Sequence, residues 1–105
     1  MTTFDERERA FENKFAHEQD VQFQTIARRN RAIGLWAAER LGKSGALADA
    51  YAASVVATGI AQAGDAIVVE KIRADLAAGG VTSSESDIAA RMSTFLGEAI
   101  AAQKS

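Results

Sequence analysis

The side chains that could carry chemistry are few in this sequence, and they do not cluster. The chain has one His, His17, and no Cys, which excludes thiolate catalysis, disulfides and Cys-based zinc sites. Metal sites need several converging ligands, and no second cluster of His or carboxylates complements His17 and its acidic neighbours. Ser44 and Ser84 have no base placed to activate them. We therefore expect no catalytic residue and no bound metal.

A basic cluster is the first of two groups that could bind a partner. Arg28, Arg29 and Arg31 lie close together in the sequence, and guanidinium groups bind phosphate and carboxylate well. One interpretation is a contact to an acidic partner surface, or a weak contact to a purine nucleotide. The other is a solvated flank that pairs with acids elsewhere in the protein. The chain has no glycine-rich phosphate loop and a net charge of −2, so we expect no dedicated cofactor and no nucleic-acid partner.

An aromatic stripe is the second group. Phe4, Phe11 and Phe15 are spaced by seven and four residues, which places all three on one face of a helix. The residues between and around them are strongly charged. This stripe is too narrow to fill a core, but three aromatic anchors suit a groove on another protein. The alternatives are that the stripe folds back over the rest of the chain, or that it forms a dimer seam.

The basic cluster and the aromatic stripe both lie in a stretch of good helix formers. Residues 4–41 contain no Gly before Gly34, the whole chain contains no Pro, and Thr3 with Glu6 has the spacing of a capping box. One unbroken helix of this length measures about 55 Å, whereas a compact domain of this size has a radius of gyration of only ~13 Å. We therefore predict that part of the helix projects beyond the core or is loosely held.

Three more helices follow, joined by short turns. Ser44 is the predicted N-cap of the second helix, Asp65 of the third, and Ser83 or Ser84 of the fourth. Gly79 with Gly80 is predicted to stop the third helix. Since short turns join antiparallel neighbours, the pattern predicts an all-α protein, a four-helix bundle.

The predicted core consists of the large apolar residues that recur at helical spacing. Gly97 lies inside the fourth helix, which suggests a point where another helix packs close to it. The residues predicted to be in the core are Phe23, Ile26, Ile33, Trp36, Leu41, Leu47, Tyr51, Val55, Val68, Ile72, Leu76, Ile88, Met92, Phe95 and Ile100.

Neither a signal peptide nor a membrane span is predicted. The N-terminus has no apolar run behind a basic start, and no stretch approaches ~18 apolar residues. We therefore expect a cytoplasmic protein, or one on the soluble side of a larger assembly.

The combination of motifs in the first 42 residues is more specific than any one of them. It comprises Phe4, Asp5, Arg7, Glu8, Ala10, Phe11, Glu12, Lys14, Phe15, Ala16, His17, Phe23, Ala27, Arg28, Arg29, Asn30, Arg31, Gly34, Leu35, Trp36, Ala37, Ala38 and Glu39. In these motifs the chain resembles the ATPase inhibitor subunit zeta family of alphaproteobacterial F-type ATP synthases. The likeness continues more loosely to the final helix. The chain departs from the family pattern at residues 59–62 and 66–69, which lack the acids expected there.

The resemblance implies a regulator without enzymatic activity. It implies a four-helix bundle over residues 20–105 and an N-terminal segment over residues 1–19 that is mobile when free. This segment would become helical in the cleft between the α and β subunits of the catalytic head, beside the rotor subunit γ, and there block ATP hydrolysis. The protein would be monomeric when free, and peripheral to the inner membrane through the ATP synthase. The inhibitory segment would be residues 1–19, with the site residues Phe4, Arg7, Glu8, Arg9, Phe11, Glu12, Lys14, Phe15 and His17.

Overall fold

Four α-helices make up the protein. The structure is a computed structural model that describes residues 3–62 and 64–104, with side chains described in 19–62 and 64–103. The helices are α1 (Thr3–Arg40), α2 (Gly45–Ala61), α3 (Asp65–Ala78) and α4 (Glu85–Lys104). No strand occurs within these described ranges. The prediction of an all-α, four-helix protein is confirmed.

Most helix ends lie where the capping residues predicted them. Ser44 is the N-cap of α2, and the backbone N–H of Asp87 donates a hydrogen bond of 3.0 Å to Ser84 Oγ at the start of α4. Gly79 ends α3. The prediction for Asp65 was wrong, because the N-cap of α3 is Gly64 and Asp65 is the first helical residue. Gly64 has φ 106°, a left-handed conformation that glycine adopts at little cost.

Helix α1 is the central element, because the most extensive helix contacts in the bundle are those of α1 with α2 and with α4. Near its C-terminal end, Leu41 lies beside Gly79 at the end of α3. Ten or so residues earlier, Arg29 contacts Asp65 at the start of α3. Helix α3 therefore runs parallel to α1, while α2 and α4 run antiparallel to it, as the short turns predicted.

The core combines large aliphatic residues with alanines. Among the predicted core residues, those confirmed as buried are Ile33, Val55, Val68, Ile72, Leu76, Ile88 and Met92, while Trp36, Leu41, Tyr51 and Phe95 pack against them half-buried. Alanines fill much of the remaining interior, namely Ala37, Ala38, Ala52 and Ala99. Small residues let the helix backbones approach closely, so fewer large side chains are needed to fill the space between them.

The core prediction was wrong for four residues, because the structure exposes them. Phe23 is 52%, Ile26 44%, Leu47 66% and Ile100 42% exposed. Helical spacing identifies the face of a helix that turns inward, but it does not show where the neighbouring helices end. Leu47 lies in the first turn of α2, and the other three lie at the opposite end of the bundle, where α2 and α4 stop.

Two glycines, Gly34 and Gly59, lie at close approaches between α1 and α2. A Cβ placed on Gly34 would lie 2.8 Å from the Cα of Ala52, and one on Gly59 would collide with the side chain of Asn30. Gly97, which the sequence suggested for this role, has open space around it instead. The interface between α1 and α2 therefore depends on the missing side chains of Gly34 and Gly59.

The first helix is much longer than the bundle. Helix α1 has 38 residues, against 20 in α4, the next longest, or about 57 Å against about 30 Å at 1.5 Å per residue. The molecule measures 64 × 25 × 21 Å, and its radius of gyration is 17.4 Å rather than the ~13 Å of a compact domain. The prediction of a projecting N-terminal helical segment is confirmed.

Candidate functional site

The predicted inhibitory segment occupies the first turns of α1. The backbone is helical from Thr3 onward and continues past residue 19 without a break. At about 100° per residue, this backbone places positions 4, 11 and 15 within an arc of about 40°. The side chains of nine predicted site residues lie outside the described residues, and their contacts stay predictions: Phe4, Arg7, Glu8, Arg9, Phe11, Glu12, Lys14, Phe15 and His17.

The other helices end level with residues 20–26 of α1. Gln103, near the end of α4, lines the same groove as Asp20. Ile60, near the end of α2, lines another groove with Phe23 and Ile26. Helix α3 begins beside Arg29. The turns of the α1 backbone that precede Asp20 therefore extend beyond the ends of the other three helices.

The three arginines of the basic cluster do not converge. Arg29 is only 4% exposed. Arg31 is exposed and lies 3.5 Å from Asp49 Oδ1 on α2. Arg28 is exposed and makes no ion pair with any side chain that the structure describes. Pairing with acids elsewhere in the bundle, one of the two interpretations of the cluster, therefore holds for Arg29 and Arg31. A contact of the cluster to a nucleotide or an acidic partner stays a prediction.

Arg29 forms a buried polar node at the point where α1 leaves the bundle. Its Nε and Nη2 donate hydrogen bonds of 3.1 and 2.9 Å to Asn30 Oδ1. Nη2 also donates one of 2.9 Å to Asp65 Oδ1. Asn30 is 2% exposed and packs against Gly59. A buried charge with such partners is stabilised rather than free to react, so the node fixes α1 against α2 and α3.

Sequence reasoning missed the roles of Asn30 and Asp65 in this node. Asn30 follows Ile26 by four residues and precedes Ile33 by three, so its spacing alone places it on the inward stripe of α1. A polar residue on such a stripe needs a buried partner, and that signal was available. The pairing of Arg29 with Asp65 could not be predicted from local sequence signals, because 36 residues separate them.

A second polar cluster joins α2 to α3 near the other end of the bundle. The Tyr51 hydroxyl donates a hydrogen bond of 2.9 Å to Asp75 Oδ2, and Lys71 Nζ donates one of 3.0 Å to the same oxygen. Burial raises the pKa of Tyr51 above its ordinary value, and the hydrogen bond and negative charge of Asp75 raise it further. Tyr51 therefore stays neutral at physiological pH and acts as a hydrogen-bond donor, not as a base.

Trp36 lies between two arginines from different helices. The guanidinium carbon of Arg40 is 5.2 Å from the centroid of the Trp36 ring, and that of Arg91 on α4 is 5.5 Å away. Both distances fall within the range of cation–π attraction. These contacts hold α4 against the C-terminal part of α1, at a residue that follows Arg29 of the buried node by seven positions.

Within the described ranges, the structure offers neither a metal cluster nor a membrane span. No group of three or more His, Cys, Asp or Glu residues is placed to hold a metal ion. None of the described helices is both long enough and apolar enough to cross a bilayer.

Comparisons with known proteins agree with this architecture. A sequence profile of the family described as ATPase inhibitor subunit zeta matches residues 1–102. A protein whose structure was determined by solution NMR is 41% identical, with a TM-score of 0.66 over 76% of this chain and 91% of that chain. Comparison with curated protein sequences finds no significant match. Because the profile spans nearly the whole sequence, the chain belongs to the ATPase inhibitor subunit zeta family.

Proposed function

We propose that this protein inhibits ATP hydrolysis by the F-type ATP synthase through the first five turns of α1. Residues 1–19 act as the inhibitory segment, and residues 20–105 act as the bundle that carries it. The segment enters the cleft between the α and β subunits of the catalytic head, beside γ, and blocks rotation in the hydrolytic direction. Family membership supports the inhibitory role, and the projecting helix supports the choice of segment.

The observation that carries the proposal is the mismatch between α1 and its neighbours. The backbone of α1 continues past the ends of the other helices before Asp20, and the apolar face of an amphipathic helix suits a groove on another protein. The helical backbone gathers positions 4, 11 and 15 on one side, where aromatic anchors can carry much of the binding energy. The charged residues among them set the register of the helix in a polar cleft.

This mode of inhibition needs no catalytic group. A helix in the cleft stabilises one rotational state of the machine relative to the others, so it shifts populations instead of performing a reaction. A helix that is already formed loses less conformational entropy on binding than a disordered segment does. The protein is accordingly a regulator, active at the catalytic head and peripheral to the membrane.

Removing the aromatic anchors tests the assignment of the segment. A full-length variant with Phe4, Phe11 and Phe15 all changed to Ser should need far more protein for half-maximal inhibition of the cognate ATPase. Loss of a single anchor worth ~2 kcal/mol already weakens binding about 30-fold. Leu47→Ser is the matched control, because Leu47 is exposed at the far end of the bundle. Undiminished inhibition by the triple variant would show that the stripe is not the site.

A further inference from the structure

Exposed apolar side chains gather at the end of the bundle where α1 leaves it. The described part of the chain has five exposed large hydrophobic residues, and four of them lie at this end. We name these four the collar: Phe23 and Ile26 on α1, Ile60 on α2 and Ile100 on α4. Ile60 is 60% exposed, more than any other member. The fifth residue, Leu47, lies at the opposite end.

Two grooves run through the collar, one on each side of α1. The first has a volume of about 250 Å³, and Phe23, Ile26 and Ile60 line it together with Val56. The second has a volume of about 810 Å³ and lies between α1 and α4, where Ile26 and Ile100 line it. Ile26 separates the two grooves. Because Ile26 lines both grooves, it links the other three collar residues to one another, and polar side chains such as Gln24 and Gln103 also line the second groove.

The two grooves share two lining residues. Arg29 and Asp65 line both of them, and their ion pair of 2.9 Å joins α1 to α3. A preorganised apolar surface binds with a smaller entropic cost than one that must first be ordered. Scattered apolar residues are normal on a protein surface, whereas a contiguous apolar patch marks an interaction site.

We propose that the collar binds the apolar rim of the same protein cleft that receives residues 1–19, an inference that rests on the proposed function. Phe23 and Ile26 follow residue 19 on the same unbroken helix by four and seven residues, or about 6 and 10 Å. A protein that encloses α1 as far as residue 19 therefore reaches the collar. Ile60 and Ile100 then contact the rim on either side of the helix.

The shape of α1 disfavours the most obvious competing occupant. For the aromatic stripe to fold back onto the collar, the chain would have to reverse direction between residues 15 and 23. Helix α1 is continuous through this stretch, and the chain has no Pro and no Gly there to break it. A second copy of the chain is the remaining competitor, and it would occupy the same end of the bundle as the cleft.

The proposal divides the work of binding between two surfaces. Residues 1–19 block rotation, so they determine the maximal extent of inhibition. The collar contacts the rim outside the blocked site, so it adds to the binding energy of the aromatic anchors and lengthens the time for which the inhibitor stays bound. Changes in the collar should therefore alter the dissociation rate and leave the fully bound, fully inhibited state unchanged.

The test uses the full-length chain with the double substitution Ile60→Ser and Ile100→Ser. The cognate ATPase head is immobilised, and the dissociation rate of the inhibitor is measured together with the concentration for half-maximal inhibition. We expect both to rise about 30-fold, with unchanged maximal inhibition at saturation, since two apolar contacts are lost. Leu47→Ser should change neither value. Fluorescence of the single Trp, Trp36, verifies that each variant is folded.

Each alternative gives a different result. Dissociation of the double variant at the wild-type rate would overturn the collar and leave the proposed function intact. Failure of the wild-type chain to bind the head would overturn both. Sedimentation of the wild-type chain as a dimer that the two substitutions dissociate would assign the collar to a second copy, and would overturn its assignment to the cleft.

Discussion

The basic cluster shows how much of a site can be predicted from residue types alone. The sequence establishes three positive charges within four positions, but on a helix their directions differ by about 100° for each residue of separation. Arg29 therefore points into the bundle toward Asn30 and Asp65, while Arg28 points to solvent. Their chemistry was predictable from the sequence. Their separation into a structural and a free arginine depends on where α3 begins, which the sequence alone does not show.

Removal of the Arg29 side chain should destabilise the bundle. Arg29→Ala leaves Asn30 Oδ1 buried without its donors and removes the packing of the arginine stem, so we expect a loss of about 2–3 kcal/mol in the free energy of unfolding. Asp65 adds little to this loss, because its side chain is 68% exposed and remains solvated. Arg28→Ala is the control and should lie within about 0.5 kcal/mol of wild type.

Urea unfolding followed by Trp36 fluorescence measures both arginine variants. We expect the free energy of unfolding of Arg28→Ala to be close to that of the wild type, and that of Arg29→Ala to be well below both. Equal midpoints for the two variants would show that the buried node contributes nothing to stability.

Tyr51 makes stability depend on alkaline pH. Its pKa in the folded chain is raised above the ordinary value of 10.0, so above pH ~10 the unfolded chain loses the phenolic proton before the folded chain does. The unfolded state then binds fewer protons, and the free energy of unfolding falls as pH rises from about 10 toward the folded pKa. Below pH ~10 the contribution of Tyr51 is constant.

The titration of Tyr51 can be observed directly, because it is the only Tyr in the chain. Ultraviolet absorbance of tyrosinate should appear at higher pH in the folded chain than in the same chain in urea, and Tyr51→Phe should remove this part of the pH dependence of stability. Coincident titration curves for the folded and unfolded chains would contradict the burial and hydrogen bonding described for Tyr51.

At the scale of the helices, local sequence signals predicted where helices end better than they predicted which helices contact each other. Ser84 caps α4 through its side chain, Gly79 ends α3, and Ser44 is the N-cap of α2 without a side-chain hydrogen bond. The close contact between α1 and α2 requires two distant glycines to meet their partners, and periodicity carries no such information. Gly97 resembled Gly34 in the sequence, yet only Gly34 faces another backbone.

The two glycines should respond oppositely to the same substitution. Gly34→Ala places a Cβ 2.8 Å from the Cα of Ala52, so α1 and α2 must separate, and we expect a loss of about 1–3 kcal/mol. Gly97→Ala adds a methyl group in open space within α4 and should stabilise by about 0.5–1 kcal/mol through helix propensity. Thermal unfolding followed by circular dichroism compares them. A lower melting temperature for Gly97→Ala would contradict this account of α4.

At the scale of the whole molecule, the length of the first helix is the feature that the sequence predicted most directly. An uninterrupted run of helix formers longer than the bundle implies a projection, and the long axis of 64 Å agrees with it. Helical periodicity alone does not show where the projection begins, because that depends on where α2 and α4 stop; the predicted boundary at residue 19 came from the family resemblance. For the same reason the sequence analysis placed Phe23, Ile26 and Ile100 in the core, whereas the structure exposes them.

The division of the molecule into a bundle and an inhibitory segment makes a prediction about its stability. The confirmed large core residues all lie between Ile33 and Met92, so deletion of residues 1–19 should leave the bundle folded. The shortened chain should retain the near-native Trp36 fluorescence and cooperative unfolding of the full chain, while losing the segment proposed to block the enzyme.

The central claim is tested most directly by the rate of ATP hydrolysis by the cognate F-type ATPase. The rate is measured with increasing amounts of the full-length chain and, separately, with increasing amounts of the chain of residues 20–105. The account predicts saturable inhibition by the full-length chain and an uninhibited rate with the folded shortened chain at every concentration. Equal inhibition by both chains would contradict the assignment of the segment, and an unchanged rate with the full-length chain would contradict the proposed function itself.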